Sequence, residues 1–220
     1  MRVISRKERY GVFFVFLAVY ISLAIYNLVN GSQWFFDNLV AIVFLVFMFL
    51  IARWLLLTPG SFIMFNLALT LHNLGTFGLY GTTLDGFFYD NIVHFFGALV
   101  AAWIIFNFVS ARLHIKWQKD VKRTVVDEHK VVLIFLVFAS VAMLGSVVEL
   151  VEFGGFVFLG PGEGIFFVGS GDGGYNVEDF KMQYYDTMED MIVNALGSFA
   201  GVLMFYRLRY RKGEWVRIGH

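Results

Sequence analysis

Six apolar runs follow one another along the chain at 11–29, 37–57, 61–80, 89–111, 131–153 and 187–207. A helix rises ~1.5 Å per residue, so about 20 residues cross the ~30 Å of hydrocarbon in a bilayer, and each run is close to that length. The runs predict an all-α fold, a polytopic membrane helical bundle of about six transmembrane helices forming a single integral membrane domain over 1–220. Composition agrees with this. Of the 220 residues 59% are hydrophobic and 15% charged, whereas a soluble domain carries about 25% charged residues to cover its surface. Disorder, coiled coil and collagen are excluded by the same figures, and the length leaves no room for a separate soluble enzyme beside six spans. With 0 cysteines the chain has no disulfide framework, no thiolate zinc site and no cysteine nucleophile.

Charge sets the orientation. The formal net charge is +0, yet 16 of the 17 basic residues fall on one side of the six spans. Arg2, Arg6, Lys7 and Arg9 precede the first run, Arg53 lies near the inner end of the second, and Arg112, Lys116, Lys119, Lys122, Arg123 and Lys130 separate the fourth from the fifth. Arg207, Arg209, Arg211, Lys212 and Arg217 follow the sixth, which leaves only Lys181 for the other side. Loops rich in lysine and arginine stay in the cytoplasm, so both termini are expected there, in a cell (plasma or inner) membrane. The basic stretch before the first run is similar to the start of a signal peptide. Its apolar run is ~19 residues long, however, and no small-x-small cleavage site follows, so a retained span is expected.

Two connections are long. The basic segment 112–130 suits a cytoplasmic loop resting on anionic lipid heads, and no nucleic-acid partner is expected. The outer segment 154–185 holds nine glycines, including Gly169-Ser170-Gly171-Asp172-Gly173-Gly174, and reads as a lid; its patch Ile165-Phe166-Phe167-Val168 is apolar enough to dip into the interface.

Polar residues inside spans are costly and mark function by default, at roughly 2.5 to 3.5 kcal/mol for each charge. Here they gather at one level. Asp90 opens the fourth run with His94 one turn deeper, Glu149 and Glu152 share a face in the last outer turn of the fifth, and Asp186, Asp190 and Asn194 form an i, i+4, i+8 stripe in the sixth. His72 lies in the third run, eight residues from its outer end. An outer half with one lysine and no arginine has too few cations to pair these acids. A buried carboxylate without a counter-charge takes up a proton or binds a cation. Two outcomes follow, a mutually hydrogen-bonded protonated cluster or a bound metal. Asp90, His94, Glu149, Glu152, Asp186 and Asp190 are the candidate metal ligands, with His72 and Asn194 behind them. This mixed nitrogen and oxygen set suits zinc, manganese or iron, and magnesium or calcium if the histidine stands back.

Each residue also has a plain structural role open to it. Asp90 can cap the fourth helix, and Asp186 with Glu189 has the D-x-x-E spacing of a capping box. His72, near Asn66, Thr70 and Asn73, can serve as an interhelical hydrogen-bonding residue, and Gly197 with Gly201 at G-x-x-x-G spacing lets the sixth span approach a neighbour closely. Glu149, Glu152, His94 and Asp190 fall inside spans, where capping does not explain them. The 27 phenylalanines face lipid or fill the core, and His114, His129 and His220 lie on the cytoplasmic side.

The segments Tyr89-Asp90-Asn91-Ile92-Val93-His94-Phe95 with Gly97, Glu149-Leu150-Val151-Glu152 and Asp186-Thr187-Met188-Glu189-Asp190-Met191 occur in order over about 80–201. In this the chain resembles the YjdF-like family of multi-pass membrane proteins, whose pattern is YD-x-x-x-HF, a glutamate-rich helix end, and DT-x-x-DM after a glycine-rich loop. Phe153 stands where the family pattern has tryptophan, a departure that touches packing rather than ligation. Asp190, Asn194, Gly197 and Gly201 also resemble a short motif of VanZ-like proteins, a group implicated in glycopeptide resistance. The first resemblance implies the fold and the site residues and carries no reaction with it.

Three functions compete. The first is a membrane-embedded metal-dependent hydrolase or transferase acting on a lipid-linked substrate, with Glu149 or Glu152 as general base and the glycine-rich loop closing over the site. The second is a proton- or cation-coupled transporter using the same acids; it would need polar residues through the inner half of the spans, where they are scarce. The third is a non-catalytic scaffold stapled by a metal.

Overall fold

The computed structural model describes residues 2–32, 34–80, 82–84, 87–117, 130–159 and 177–210. Six helices account for nearly all of them: α1 Arg6–Val29, α2 Phe35–Ile51, α3 Pro59–Leu74, α4 Tyr89–Trp117, α5 Lys130–Leu159 and α6 Val177–Phe205. All but α2 are long and apolar enough to cross a membrane. The protein is an all-α membrane bundle. A π turn, Gly75–Leu79, extends α3 and a second, Tyr206–Tyr210, ends α6. Between α3 and α4, Thr83–Leu84 and Phe87–Phe88 pair as a two-residue antiparallel hairpin.

Local signals explain the helix starts. Ser5 and Glu8 form a capping box, with the Ser5 hydroxyl accepting from the Glu8 amide at 3.3 Å and the Ser5 amide donating to Glu8 Oε2 at 3.0 Å. Thr58 caps α3 by accepting from the Ser61 amide at 3.1 Å, with Pro59 in the first turn, where its missing N–H costs nothing. The Ile4 amide donates to the Leu57 carbonyl at 2.8 Å and Arg112 to the Trp54 carbonyl at 2.9 Å, so the N-terminus, the α2–α3 turn and the far part of α4 share one basic end. Leu56 takes φ +56° in that turn, which lets the chain reverse sharply before Thr58.

Two helices exceed their apolar runs at the opposite, acidic end. α5 continues to Leu159 and α6 begins at Val177, so helix occupies both flanks of the segment 154–185 that reads as a lid. Hydropathy marks where a helix leaves hydrocarbon and not where its hydrogen bonding stops. The glycine run 169–174, the apolar patch 165–168 and most of the basic loop, 118–129, lie outside the described residues.

The tightest seam joins α4 to α6. A Cβ on Gly197 would lie 2.3 Å from the Phe95 carbonyl oxygen, and one on Gly201 would lie 2.3 Å from that of Leu99. Only hydrogen fits, which is the close backbone approach expected of this spacing. Below the acidic end, Ala98, Ala102, Phe106, Val137, Val141, Val202 and Phe205 interlock into one apolar cluster between α4, α5 and α6. Outward faces are apolar as well, with Val29 79% and Val131 70% exposed, as lipid contact requires.

Gly197→Ala and Gly201→Ala are each expected to lower stability by about 1–3 kcal/mol through overpacking against backbone. Gly97→Ala, with nothing within 4 Å of its new Cβ, is expected to have no such cost. Thermal unfolding of the three variants in one detergent checks this.

Candidate functional site

Three helices each contribute one stripe. On α4, Asp90 sits in the first turn, where the positive end of the helix favours a carboxylate, and His94 follows one turn, ~6 Å, deeper. On α5, Glu149 is buried at 1% exposure and Glu152 is half-buried one turn further along. On α6, Asp190 is 2% exposed and Asn194 is buried one turn below. Gly145 of α5 faces Asn194, and a Cβ there would lie 3.0 Å from the Asn194 amide carbon, so the missing side chain admits the amide.

His94 is the hub of this arrangement. Its Nε2 lies 3.5 Å from Asp90 Oδ1 and 3.9 Å from Asp190 Oδ2, while its Nδ1 lies 3.3 Å from Glu149 Oε1. Asn194 Nδ2 donates to the same Glu149 oxygen at 3.3 Å and lies 3.1 Å from His94 Nδ1. Three carboxylates on three helices therefore share one imidazole, which even when protonated carries one positive charge against three. The Asp190 Oδ2 atom is buried and has no hydrogen-bond partner among the described residues. Leaving such an atom unpaired is expensive, and a cation would supply what it lacks.

Two ligand sets converge here, Asp90 with His94 and Asp190, and His94 with Glu149 and Glu152. In each set one atom per residue lies within 4.8 Å of the others. A tetrahedral ion with ~2.1 Å bonds holds its ligands ~3.4 Å apart, so small side-chain adjustments would close either set. On the rim, Asn91 donates to Glu189 Oε1 at 2.7 Å and ties α4 to α6 above the site.

The sequence-based expectations divide accordingly. Asp90, His94, Glu149, Glu152, Asp190 and Asn194 come together. Asp186 does not join either ligand set; it is exposed and stands more than two turns inside α6, so it does not cap that helix either. Asp90 lies within the first turn of α4, which starts at Tyr89.

His72 belongs to a neighbouring group that sequence reasoning did not assemble. Tyr80 folds back so that its hydroxyl meets His72 Nδ1 at 2.6 Å, and His72 Nε2 lies 3.9 Å from Asp37 Oδ1 of α2. Gly75 makes this possible: a Cβ there would overlap the Tyr80 ring, whose nearest carbon lies 2.1 Å from that position. Gly78, at φ +86°, supplies the left-handed residue inside the π turn. Trp34 stacks on the other side of Tyr80, and the Tyr89 hydroxyl donates to the Leu71 carbonyl at 2.7 Å. Tyr80 also packs edge-on against Tyr89, the residue before Asp90, so both groups lie in one polar layer. Asn27, Asn38, Asn73 and Thr76 continue it across α1, α2 and α3: Asn27 donates to Asn38 and Thr76, and Asn38 donates to Asn73 at 2.7 Å. The signal for this part was the placing of Asn27 and Asp37-Asn38 at facing ends of the first two runs.

The family model described as "Predicted membrane protein (DUF2238)" matches residues 9–211. No curated protein and no solved structure matches the chain.

Tyr80→Phe would leave the His72 ring nitrogen without its partner. A loss of about 1–3 kcal/mol is expected, as for a buried polar group left unsatisfied. Tyr26→Phe serves as control, since Tyr26 is 53% exposed; equal melting temperatures for the two variants would show that the Tyr80–His72 contact contributes nothing.

Proposed function

Since the chain belongs to the predicted membrane protein family DUF2238, we propose that it is a membrane-embedded, divalent-metal-dependent hydrolase or transferase acting on a lipid-linked substrate. The metal would be zinc, manganese, iron or magnesium. The observation that carries this reading is the buried Asp190 Oδ2 atom, without a hydrogen-bond partner among the described residues and facing a histidine already crowded by Asp90 and Glu149. Asp90, His94 and Asp190 would hold the ion, which supplies Lewis acidity and lowers the pKa of a bound water. Glu149 or Glu152, on the opposite helix, would take the proton from the attacking water. With both termini in the cytoplasm, the site faces the outer leaflet of the plasma or inner membrane, where lateral diffusion delivers a lipid head group to this depth. Asp186 at the rim is placed to meet such a head group as it arrives. The YjdF-like and VanZ-like resemblances belong to this reading and add no chemistry to it.

Transport by the same acids is the second reading. Against it stands the apolar cluster of Trp103, Phe106, Val137, Val141, Val202 and Phe205, which packs between the three site helices directly below the acids. An acid layer with apolar packing beneath it favours chemistry on a substrate entering from one side.

Metal analysis of the purified protein is expected to find a stoichiometric divalent ion that Asp190→Asn removes. A screen of lipid-linked phosphate and ester substrates is then expected to find turnover that His94→Ala abolishes. A wild-type protein with no ion, and with Glu149→Gln folding normally, would favour a protonated acid cluster instead. Bound ion without turnover on any lipid-linked substrate would point to a metal-stapled scaffold.

A further inference from the structure

Glu149 and Glu152 stand one turn apart on the same helix, and the geometry around His94 separates their roles. Glu149 Oε1, His94 Nδ1 and Asn194 Nδ2 form a nearly equilateral triangle, with sides of 3.3, 3.3 and 3.1 Å. Asn194 Nδ2 is a donor, and the carboxylate oxygen is an acceptor. With a hydrogen on Nδ1, two N–H groups converge on the Glu149 oxygen; with Nδ1 bare, the ring nitrogen accepts from Asn194 Nδ2 and loses Glu149. An ion on Nε2 selects the first arrangement, because the neutral ring has one nitrogen lone pair to give.

A hydrogen on Nδ1 has a consequence at the other ring nitrogen. In the neutral imidazole it leaves the Nε2 lone pair directed at Asp90 Oδ1 and Asp190 Oδ2, 3.5 and 3.9 Å away. A lone pair among carboxylate oxygens is stable when a cation lies between them. A metal-bound histidine characteristically donates its far N–H to a carboxylate, which fixes the tautomer and strengthens the ligand.

Resting on the metal reading above, we infer that Glu149 is a positioning residue: with Asn194 it holds His94 in the Nδ1–H tautomer and aims Nε2 at an ion shared with Asp90 and Asp190. Burial supports the division of labour. Glu149 is 1% exposed and already engaged by Asn194, while Glu152 is half-buried one turn nearer the helix end. Glu152 is then the residue left to take a proton from water. Gly145 has its place in the same device, since a side chain there would displace the Asn194 amide that anchors Glu149.

The test uses the full chain in lipid nanodiscs with Co²⁺ as the probe ion. Glu149→Gln keeps an acceptor oxygen for the Nδ1 hydrogen but loses the charge. It is expected to bind one Co²⁺ with unchanged ligand-field bands and an affinity lower by about 10–100-fold. Asp190→Asn is expected to alter the bands or lose the ion. If Glu149→Gln changes the bands as Asp190→Asn does, Glu149 is a ligand and this inference is overturned while the metal reading survives. If the wild type binds no Co²⁺ and no other divalent ion, both fall. Should Glu149→Gln fail to fold, ¹⁵N spectra of the zinc-loaded wild type decide: a protonated Nδ1 on His94 supports the inference, and a metal-bound Nδ1 overturns it.

Discussion

Carboxylates outnumber the positive charge available to them at one end of this bundle, and much of the structure follows from that imbalance. Asp90, Glu149 and Asp190 come from three helices, and each places a carboxylate oxygen within 3.9 Å of a His94 ring nitrogen. At the other end of the bundle, by contrast, Arg9 and Arg112 bond to backbone carbonyls. Solvating acids with water is cheap, and burying them is not. The helices nonetheless bury Glu149 and Asp190 almost completely. Acids buried at such cost inside a membrane span mark a candidate functional site.

Descending from that layer, each of the three helices changes character in step. His94, Ala98, Ala102 and Phe106 follow one another at four-residue intervals on α4, and Glu149, Gly145, Val141 and Val137 do so on α5. On α6 the series is Asp190, Asn194, Ser198 and Val202. Polar groups top each stripe, small residues occupy the middle and bulky apolar ones the base. The small middle matters because α4 and α6 meet there backbone to backbone at Gly197 and Gly201. Close approach brings the tops of the stripes within reach of one imidazole, so the packing seam and the polar site are one construction.

Much of this was legible in the sequence. Hydropathy located the six helices, lysine and arginine gave the alternation of sides, and the spacing of Glu149, Glu152, Asp190 and Asn194 put them on inward stripes. What remained hidden depends on how each helix is rotated against its neighbours. That Asp186 is exposed while Asp190, on the same stripe, is buried follows from α6 beginning as early as Val177, and no hydropathy window reports a helix that continues into polar surroundings. The Tyr80–His72 contact depends on a π turn and two glycines that shift the register by which Tyr80 returns to α3. Likewise, the two nitrogens of His94 face different carboxylates only once three helices are assembled.

The short second helix carries a separate implication for the surrounding lipid. With 17 residues, α2 reaches ~25 Å at ~1.5 Å per residue, some ~5 Å less than the hydrocarbon of an ordinary bilayer. Its neighbours α1, and α3 together with its π turn, are longer, so the mismatch falls on one flank of the molecule. Acyl chains beside α2 must compress, or polar flanks must be drawn inward, at a cost of fractions of a kcal/mol per ångström. The thinner the surrounding hydrocarbon, the smaller the mismatch this one helix leaves.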